Sequence, residues 1–264
     1  MISITFKQNA EKELEVFWAF INNEQNLRYR NSIFHYFPDL QERLSSIDGD
    51  EAKREFLGKY ILEFRNAKKE QLEKFEKSQR EKLEQRGELV LEKLEEIMEY
   101  KEENNKGYDI IPVIIPFSPF KGNTFFYSVL GSLSGKISPF GEIVFVLAHE
   151  VSHLLLFKIL KNSFFEDKYK LKPNELYFLK EILVVPILKD NILIDILNTK
   201  EYRGNPIISY LNVSSNDLDR PITQYFEDLY NNCKKNGKTF YDFVRIAIET
   251  IKSISRELDA KNEM

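Results

Sequence analysis

The pentapeptide His149–His153 has the pattern H-E-x-x-H, with Glu150 directly after the first histidine. In a helix, residues four positions apart lie one turn apart on the same face, so both imidazoles can reach one metal ion. Glu150 then points into the same cleft, where it can act as a general base. This spacing is the zinc-binding signature of metallopeptidases.

The residues around the motif favour a buried helix. Residues 142–148 and 154–157 flank the motif and are apolar apart from Glu142. A helix that is apolar nearly all round packs inside a core or a bilayer. Histidine and glutamate side chains buried there need partners, and a zinc ion would supply one. The alternative interpretation is a pair of core histidines that are hydrogen-bonded to the backbone.

A catalytic zinc site needs a third protein ligand, which leaves the fourth position for water. The remaining histidine, His35, lies far upstream among aromatic residues and is interpreted as an ordinary surface or core histidine. No histidine follows His153. A downstream carboxylate is therefore expected as the third ligand. The apolar segment 173–188 contains two of them.

Glu175 and Glu181 are these two candidates. Glu175 follows Pro173 in the first turn of a predicted helix, where an acid complements the helix dipole. Glu181 has apolar neighbours one turn away in both directions, so a carboxylate there calls for a metal or another cation. The pattern favours Glu181 and keeps Glu175 as the alternative. Lys180 is the neighbour of Glu181 in sequence, but helix geometry predicts that the lysine points to a different face of the helix.

With these residues placed, the chain resembles the gluzincin group of zinc metallopeptidases. Within that group it is more similar to a prokaryotic family that carries an H-E-F-S-H motif. The matching stretches are Pro116–Asn123, His149–His153 and Leu179–Leu183, and the match is specific only at the zinc motif. The resemblance implies a zincin-like metallopeptidase fold, with a small twisted sheet over the H-E-x-x-H helix and a helical C-terminal subdomain.

The resemblance also implies a site. It assigns one Zn²⁺ per chain to His149, His153 and Glu181, with Glu150 as the catalytic base. Better-known gluzincins have a small residue three positions after the ligand glutamate. Here Val184 stands three positions after Glu181, and a phenylalanine stands three positions after Glu175. Neither residue is small, so both glutamates stay candidates.

Peptide-bond hydrolysis is the reaction that such a site predicts. Zinc held by three protein ligands lowers the pKa of a bound water towards neutrality, and Glu150 accepts the proton and hands it to the leaving amine. A further donor should stabilise the oxyanion, and the candidates are Tyr202, Arg203, Tyr210 and Tyr225. Two alternatives stay open. One is a non-catalytic zincin-like binding or regulatory module that uses a charged helix for partner assembly, and the other is hydrolysis of a non-peptide amide or ester.

Composition restricts the partners and the compartment. The net charge of −4 and the pI near 5.7 give no electrostatic case for nucleic acid. A single cysteine, Cys233, suits a reducing compartment, and the first residues lack the layout of a signal peptide. No uninterrupted run of about 20 apolar residues occurs, which argues against a membrane span. A cytoplasmic enzyme acting on a peptide or protein substrate is predicted, with its oligomeric state left open.

Hydrophobic spacing predicts a helix-rich α+β protein. Residues 1–107 are expected to hold an N-terminal strand, helices and a long charged helix. Residues 108–264 are expected to form a zincin-like catalytic core, unless the two parts make one continuous domain. Two runs, 110–115 and 124–130, are hairpin-like, and Pro112 suggests that the first is an edge strand or is irregular. The predicted elements are a strand at 2–6, helices at 10–22, 191–198, 217–234 and 239–257, and a charged helix over about 51–104, single or joined near Gly87.

Overall fold

The computed structural model describes residues 3–22, 27–101, 107–134, 139–161, 165, 169–209, 211–212 and 220–262. It is helix-rich with a small mixed sheet, which confirms the predicted α+β class. The chain forms two compact units. The first comprises Met1–Glu88 and Asn105–Val146, and the second comprises Leu89–Asn104 and Leu147–Met264. The predicted domain boundary at residue 107 stays a prediction.

The first unit contains most of the charged helices and the sheet. The predicted strand at 2–6 and helix at 10–22 are found close to their expected bounds. Its elements are β1 (Ile4–Phe6), α1 (Ala10–Ile21), α2 (Leu27–Tyr36), α3 (Pro38–Ser45), α4 (Asp50–Ala67), the start of α5 (Lys69–Ile97), β2 (Tyr108–Val113), β3 (Phe120–Lys121), β4 (Thr124–Ser128) and the start of α6 (Ile143–Leu160).

The charged region after residue 50 forms two helices, but the predicted break near Gly87 is wrong. The break lies at Lys68, whose backbone N–H donates to the carbonyls of Phe64 and Arg65 in a tightened turn. Gly87 lies inside α5, where a Cβ atom would stand 3.0 Å from Cδ1 of Ile4. This glycine therefore allows β1 to pack closely against the helix and does not interrupt it.

The sheet corrects two predictions about the strands. In the described residues the strand order is β1-β2-β4-β3, so β2 is central and is not an edge strand. The two runs predicted as a hairpin, β2 and β4, pair in parallel from Asp109 with Thr124 to Val113 with Ser128. The hairpin is formed instead by β3 and β4, around a turn in which Gly122 has a positive φ of 60°.

Pro112 fits in this central strand because of where its neighbour ends. Tyr108 N donates to Ser3 O, and Lys7 N donates to Ile110 O. The backbone N–H and C=O groups of every second residue of β2 therefore point towards β1. By this alternation the backbone nitrogen of Pro112 also points to the side of β1. It lies beyond Phe6, where β1 ends. Its missing N–H therefore costs no bond to β1, and its carbonyl accepts a hydrogen bond of 2.7 Å from Arg65.

The start of α6 is held by side chains of the first unit. Ile143 N donates to the buried Gln79 Oε1 at 2.9 Å, and the Tyr127 hydroxyl donates to Gly141 O at 2.8 Å. Glu142 precedes the helix and accepts from Lys82 Nζ at 2.5 Å. The first N–H groups of a helix have no partner within it, so Gln79 satisfies one of them, and an acid at this end complements the helix dipole.

The second unit is helical in its described residues. The helix that carries Glu181 is apolar and buried along most of its length, and it packs against the last three helices. Of the predicted helix 191–198 only Ile194–Leu197 is helical, and the predicted helix 239–257 is found divided in two. Residues 217–219 of the predicted helix 217–234 lie outside the described residues. After α6 the elements are α7 (Pro173–Leu188), α8 (Ile194–Leu197), α9 (Pro206–Ser209), α10 (Ile222–Lys235), α11 (Phe240–Ser253) and α12 (Ser255–Asn262).

One described helix, α6, is long and apolar enough to cross a membrane by length and composition. Its mean hydropathy is 1.9, and 67% of it is buried inside the protein. A mostly buried core helix has the same properties, so these numbers are weak evidence for a membrane span.

Candidate metal centre

Three potential metal ligands meet in the second unit. His149 and His153 lie one turn apart on α6, and Glu181 lies on α7. Their ligand atoms all lie within 4.8 Å of one another. The two Nε2 atoms are 3.0 Å apart, and Glu181 Oε1 is 3.6 Å from His153 Nε2. Glu181 Oε2 is 4.0 Å from His149 Nε2.

Burial keeps both imidazoles neutral. His153 is 1% exposed, and burial lowers its pKa well below the ordinary value. Burial also lowers the pKa of His149 to about 4, against the opposing influence of the Glu181 carboxylate. At neutral pH each ring therefore offers a lone pair, which is the form of histidine that binds metals.

Both oxygens of the Glu181 carboxylate have partners. Lys180 Nζ binds Oε1, and Asn205 Nδ2 donates to Oε2 at 2.9 Å. The prediction that Lys180 points to a different face is wrong for its ammonium group. Adjacent residues of a helix project about 100° apart, but the long lysine side chain bends back to its neighbour.

Asn205 reaches Glu181 because the chain before it makes a tight turn. Gly204 has a φ of 85°, and a Cβ there would stand 3.1 Å from Cγ2 of Val185, so glycine suits this position. Asn205 Oδ1 accepts from Ile208 N at 3.1 Å, at the start of α9. This hydrogen bond orients the amide so that its NH₂ group faces Glu181.

Glu150 lies on α6 between the two histidines and is partly buried. Burial raises its pKa to about 8, while the ammonium of Lys180 lowers it and the carboxylate of Glu181 raises it. A divalent cation beside Glu150 would favour the ionised carboxylate, because opposite charge lowers a carboxyl pKa.

Glu175, the alternative third ligand, has a different role. Its Oε2 accepts a hydrogen bond of 2.8 Å from Lys172 N at the start of α7. It is not part of the group formed by the two histidines and Glu181. The structure therefore brings Glu181 to the histidines and leaves Glu175 at the end of the helix, where an acid satisfies a backbone N–H.

Of the four candidates for oxyanion stabilisation, Tyr202 lies beside the candidate metal ligands. Its hydroxyl is 3.2 Å from Nδ1 of His149, and its side chain is buried. Arg203 is exposed, and Tyr225 lies on α10 with the Arg220 guanidinium 5.5 Å from its ring centroid. Tyr210 lies outside the described residues. His35 is exposed on α2 in the first unit.

The donor set and its spacing fit a zinc ion. Two histidines and one glutamate are a common ligand set for catalytic zinc. Ligands about 2.0–2.1 Å from a tetrahedral zinc lie about 3.3–3.4 Å from each other. The two Nε2 atoms are 3.0 Å apart, and they lie 3.6 and 4.0 Å from different oxygens of Glu181, so these separations fall on both sides of that value. Small side-chain adjustments would suffice to place all three ligands on one ion.

No protein-family model, curated protein or solved structure matches the chain significantly. The residues of the site and their geometry are therefore the basis for assigning a function.

Proposed function

We propose that the chain is a zinc-dependent peptidase of the gluzincin type. His149, His153 and Glu181 would hold the metal, and Glu150 would act as the general base. The observation that carries the proposal is the convergence of three ligand atoms from two helices on one point. The motif H-E-x-x-H puts Glu150 on the same helix turn as the first of these ligands.

A zinc ion at these ligands would polarise a scissile carbonyl and make an attacking water more acidic. The chain's own residues supply the remaining chemistry. The carboxylate of Glu150 accepts the proton of the attacking water and returns it to the nitrogen of the leaving amine. Asn205 and Tyr202 would orient Glu181 and His149 through hydrogen bonds to the carboxylate and to the imidazole.

A zincin-like fold belongs to the same proposal. The H-E-x-x-H helix is followed along the chain by the glutamate helix, within an α+β protein that has a small sheet. A helix-borne pair of histidines and a downstream glutamate helix are the features that the gluzincin resemblance requires. A peptide or protein is the proposed substrate class.

The decisive experiment separates metal binding from catalysis. The zinc content of the purified chain is measured together with cleavage of a mixed peptide library, followed by mass spectrometry. Glu150→Gln should keep about one zinc per chain and lose about 100- to 10,000-fold in hydrolysis, because only the proton-transfer group is removed. His153→Ala should lose both zinc and hydrolysis, since it removes a ligand.

Full hydrolysis by the Glu150→Gln variant would refute the role of Glu150. A wild-type chain that binds zinc but cleaves no peptide in the library would instead favour the non-catalytic module. A wild-type chain that binds no zinc would refute the metal site itself.

A further inference from the structure

The ammonium group of Lys180 contacts Glu181, the proposed metal ligand on α7. It binds Oε1, the carboxylate oxygen that is 3.6 Å from Nε2 of His153. The other oxygen, Oε2, accepts from the neutral amide of Asn205 at 2.9 Å. Glu181 therefore carries one cationic partner and one neutral partner, and the cation is on the oxygen closer to a histidine nitrogen.

This placement of Lys180 does not follow from the helix alone. Adjacent residues in a helix project about 100° apart and do not face each other. The lysine side chain nevertheless bends towards Glu181, with its ammonium 5.4 Å from the ring centroid of Tyr177. Only 21% of the side chain is exposed. An attraction to the carboxylate accounts for a bent, mostly covered lysine.

We propose that Lys180 competes internally with the metal for Glu181, and so weakens the apparent affinity of the site for zinc. The inference rests on the metal site of the proposed function. In the metal-free chain the ammonium neutralises the carboxylate that the metal needs. A metal ion can bind at full strength only after this ammonium has moved away from Oε1.

The competition is electrostatic. A carboxylate oxygen has lone pairs for more than one partner, so crowding alone would not exclude the metal. Two cations on one oxygen repel each other, and burial strengthens this repulsion. Asn205 carries no charge, so it can stay on Oε2 while a metal binds. Lys180 is therefore the partner that a metal displaces.

The size of the effect follows from the populations of the two states. The apparent dissociation constant equals the intrinsic one divided by the fraction of chains whose site is competent to bind. If the ion pair forms in about nine-tenths of the metal-free chains, it weakens zinc binding about tenfold. Removal of the lysine charge should therefore strengthen zinc binding by the same factor.

The test measures zinc affinity of the full chain by competition with a chromogenic chelator. Lys180→Met and Lys180→Gln, which remove the charge, should bind zinc about tenfold more tightly than the wild type. Lys180→Arg keeps the charge and should stay within about threefold of it. Two uncharged variants are used so that a folding defect in one does not decide the result.

Lys189 provides a matched control. It follows the same helix, its side chain is 22% exposed, and its ammonium binds Glu227 at 2.6 Å. Lys189→Met removes an equally covered lysine from an ion pair away from the cluster, so its zinc affinity should equal that of the wild type. A similar gain in Lys189→Met would show a general effect of net charge and would overturn the inference.

Unchanged or weaker zinc binding in both uncharged Lys180 variants would also overturn it. That result would leave the proposed function intact, because the wild-type site would still bind zinc. Zinc binding without peptide hydrolysis would have the opposite meaning, since it refutes the peptidase and leaves the role of Lys180 standing. A wild type that binds no zinc would refute both.

Discussion

At the scale of single residues, the contact between Tyr202 and His149 supports a role for the tyrosine that differs from the predicted oxyanion donor. An imidazole that binds a metal through Nε2 and stays neutral carries its proton on Nδ1. The Tyr202 hydroxyl lies 3.2 Å from this Nδ1, so its oxygen can accept that proton in a hydrogen bond. Such partners fix the orientation of metal-binding histidines. We therefore propose that Tyr202 is a positioning residue for His149.

Tyr202→Phe tests this role. Loss of the hydroxyl should weaken zinc binding about tenfold, because His149 loses the group that orients its ring. The free energy of unfolding of the metal-free chain should fall by only about 1 kcal/mol, the usual value of one hydrogen bond. Chelator competition and denaturant unfolding measure the two quantities.

Tyr169→Phe is the control for this prediction, because the Tyr169 hydroxyl donates to Glu249 at 3.3 Å, away from the histidines. It should leave zinc affinity unchanged. If Tyr202→Phe binds zinc as tightly as the wild type but loses hydrolysis, the hydroxyl acts on the substrate, and the original prediction of an oxyanion donor would hold instead.

The site could be predicted in part from sequence, and the physical reason lies in spacing. Two histidines four positions apart indicate a shared ligand only because a helix turn brings them together. Glu181 could be favoured because a carboxylate among apolar neighbours needs a partner. Lys180 and Asn205 could not be found in this way. A flexible lysine bends against its helix direction, and Asn205 meets Glu181 only through the fold of the chain around Gly204.

At the scale of elements, a side chain of α5 supports the start of α6. The buried Gln79 side chain accepts from Ile143 N, the first N–H of the helix. Gln79→Ala should lower the free energy of unfolding by about 1–3 kcal/mol, because it leaves a buried N–H without its acceptor. Denaturant unfolding of the metal-free chain measures this loss.

Gln85→Ala on the same helix is the matched control, since Gln85 is exposed. It should change stability by less than about 0.5 kcal/mol. Equal stability of the two variants would show that Gln79 does not support the start of α6.

The strand pairing shows what hydrophobic spacing leaves undetermined. Two β-rich runs with Pro119, Gly122 and Asn123 between them are interpreted as a hairpin because such residues favour turns. Here the connection after Val113 contains β3, which pairs with β4 and turns the chain back, so β4 runs parallel to β2. Pro112 likewise fits the central strand because β1 ends at Phe6, before the position that would pair with the proline nitrogen.

At the scale of the whole molecule, a metal that binds only the native chain must stabilise it. The gain is RT ln(1 + [L]/Kd), which is about 2.7 kcal/mol when free zinc is 100 times the dissociation constant. One kcal/mol raises the Tm of a chain of this size by about 2–4 °C. Zinc at that concentration should therefore raise the Tm by roughly 5–10 °C, and a chelator should reverse the rise. Thermal unfolding followed by far-UV circular dichroism measures it.

The same measurement distinguishes the two glutamates, because one would be a ligand and the other supports a helix end. Glu181→Ala should lose the rise with zinc. Glu175→Ala should keep the full rise but start from a lower Tm, because Lys172 N loses its acceptor, at a cost of about 1 kcal/mol. Glu150→Gln should also keep the rise, since its carboxylate is not a ligand. The reverse pattern, with the rise lost in Glu175→Ala and kept in Glu181→Ala, would assign the third ligand to Glu175.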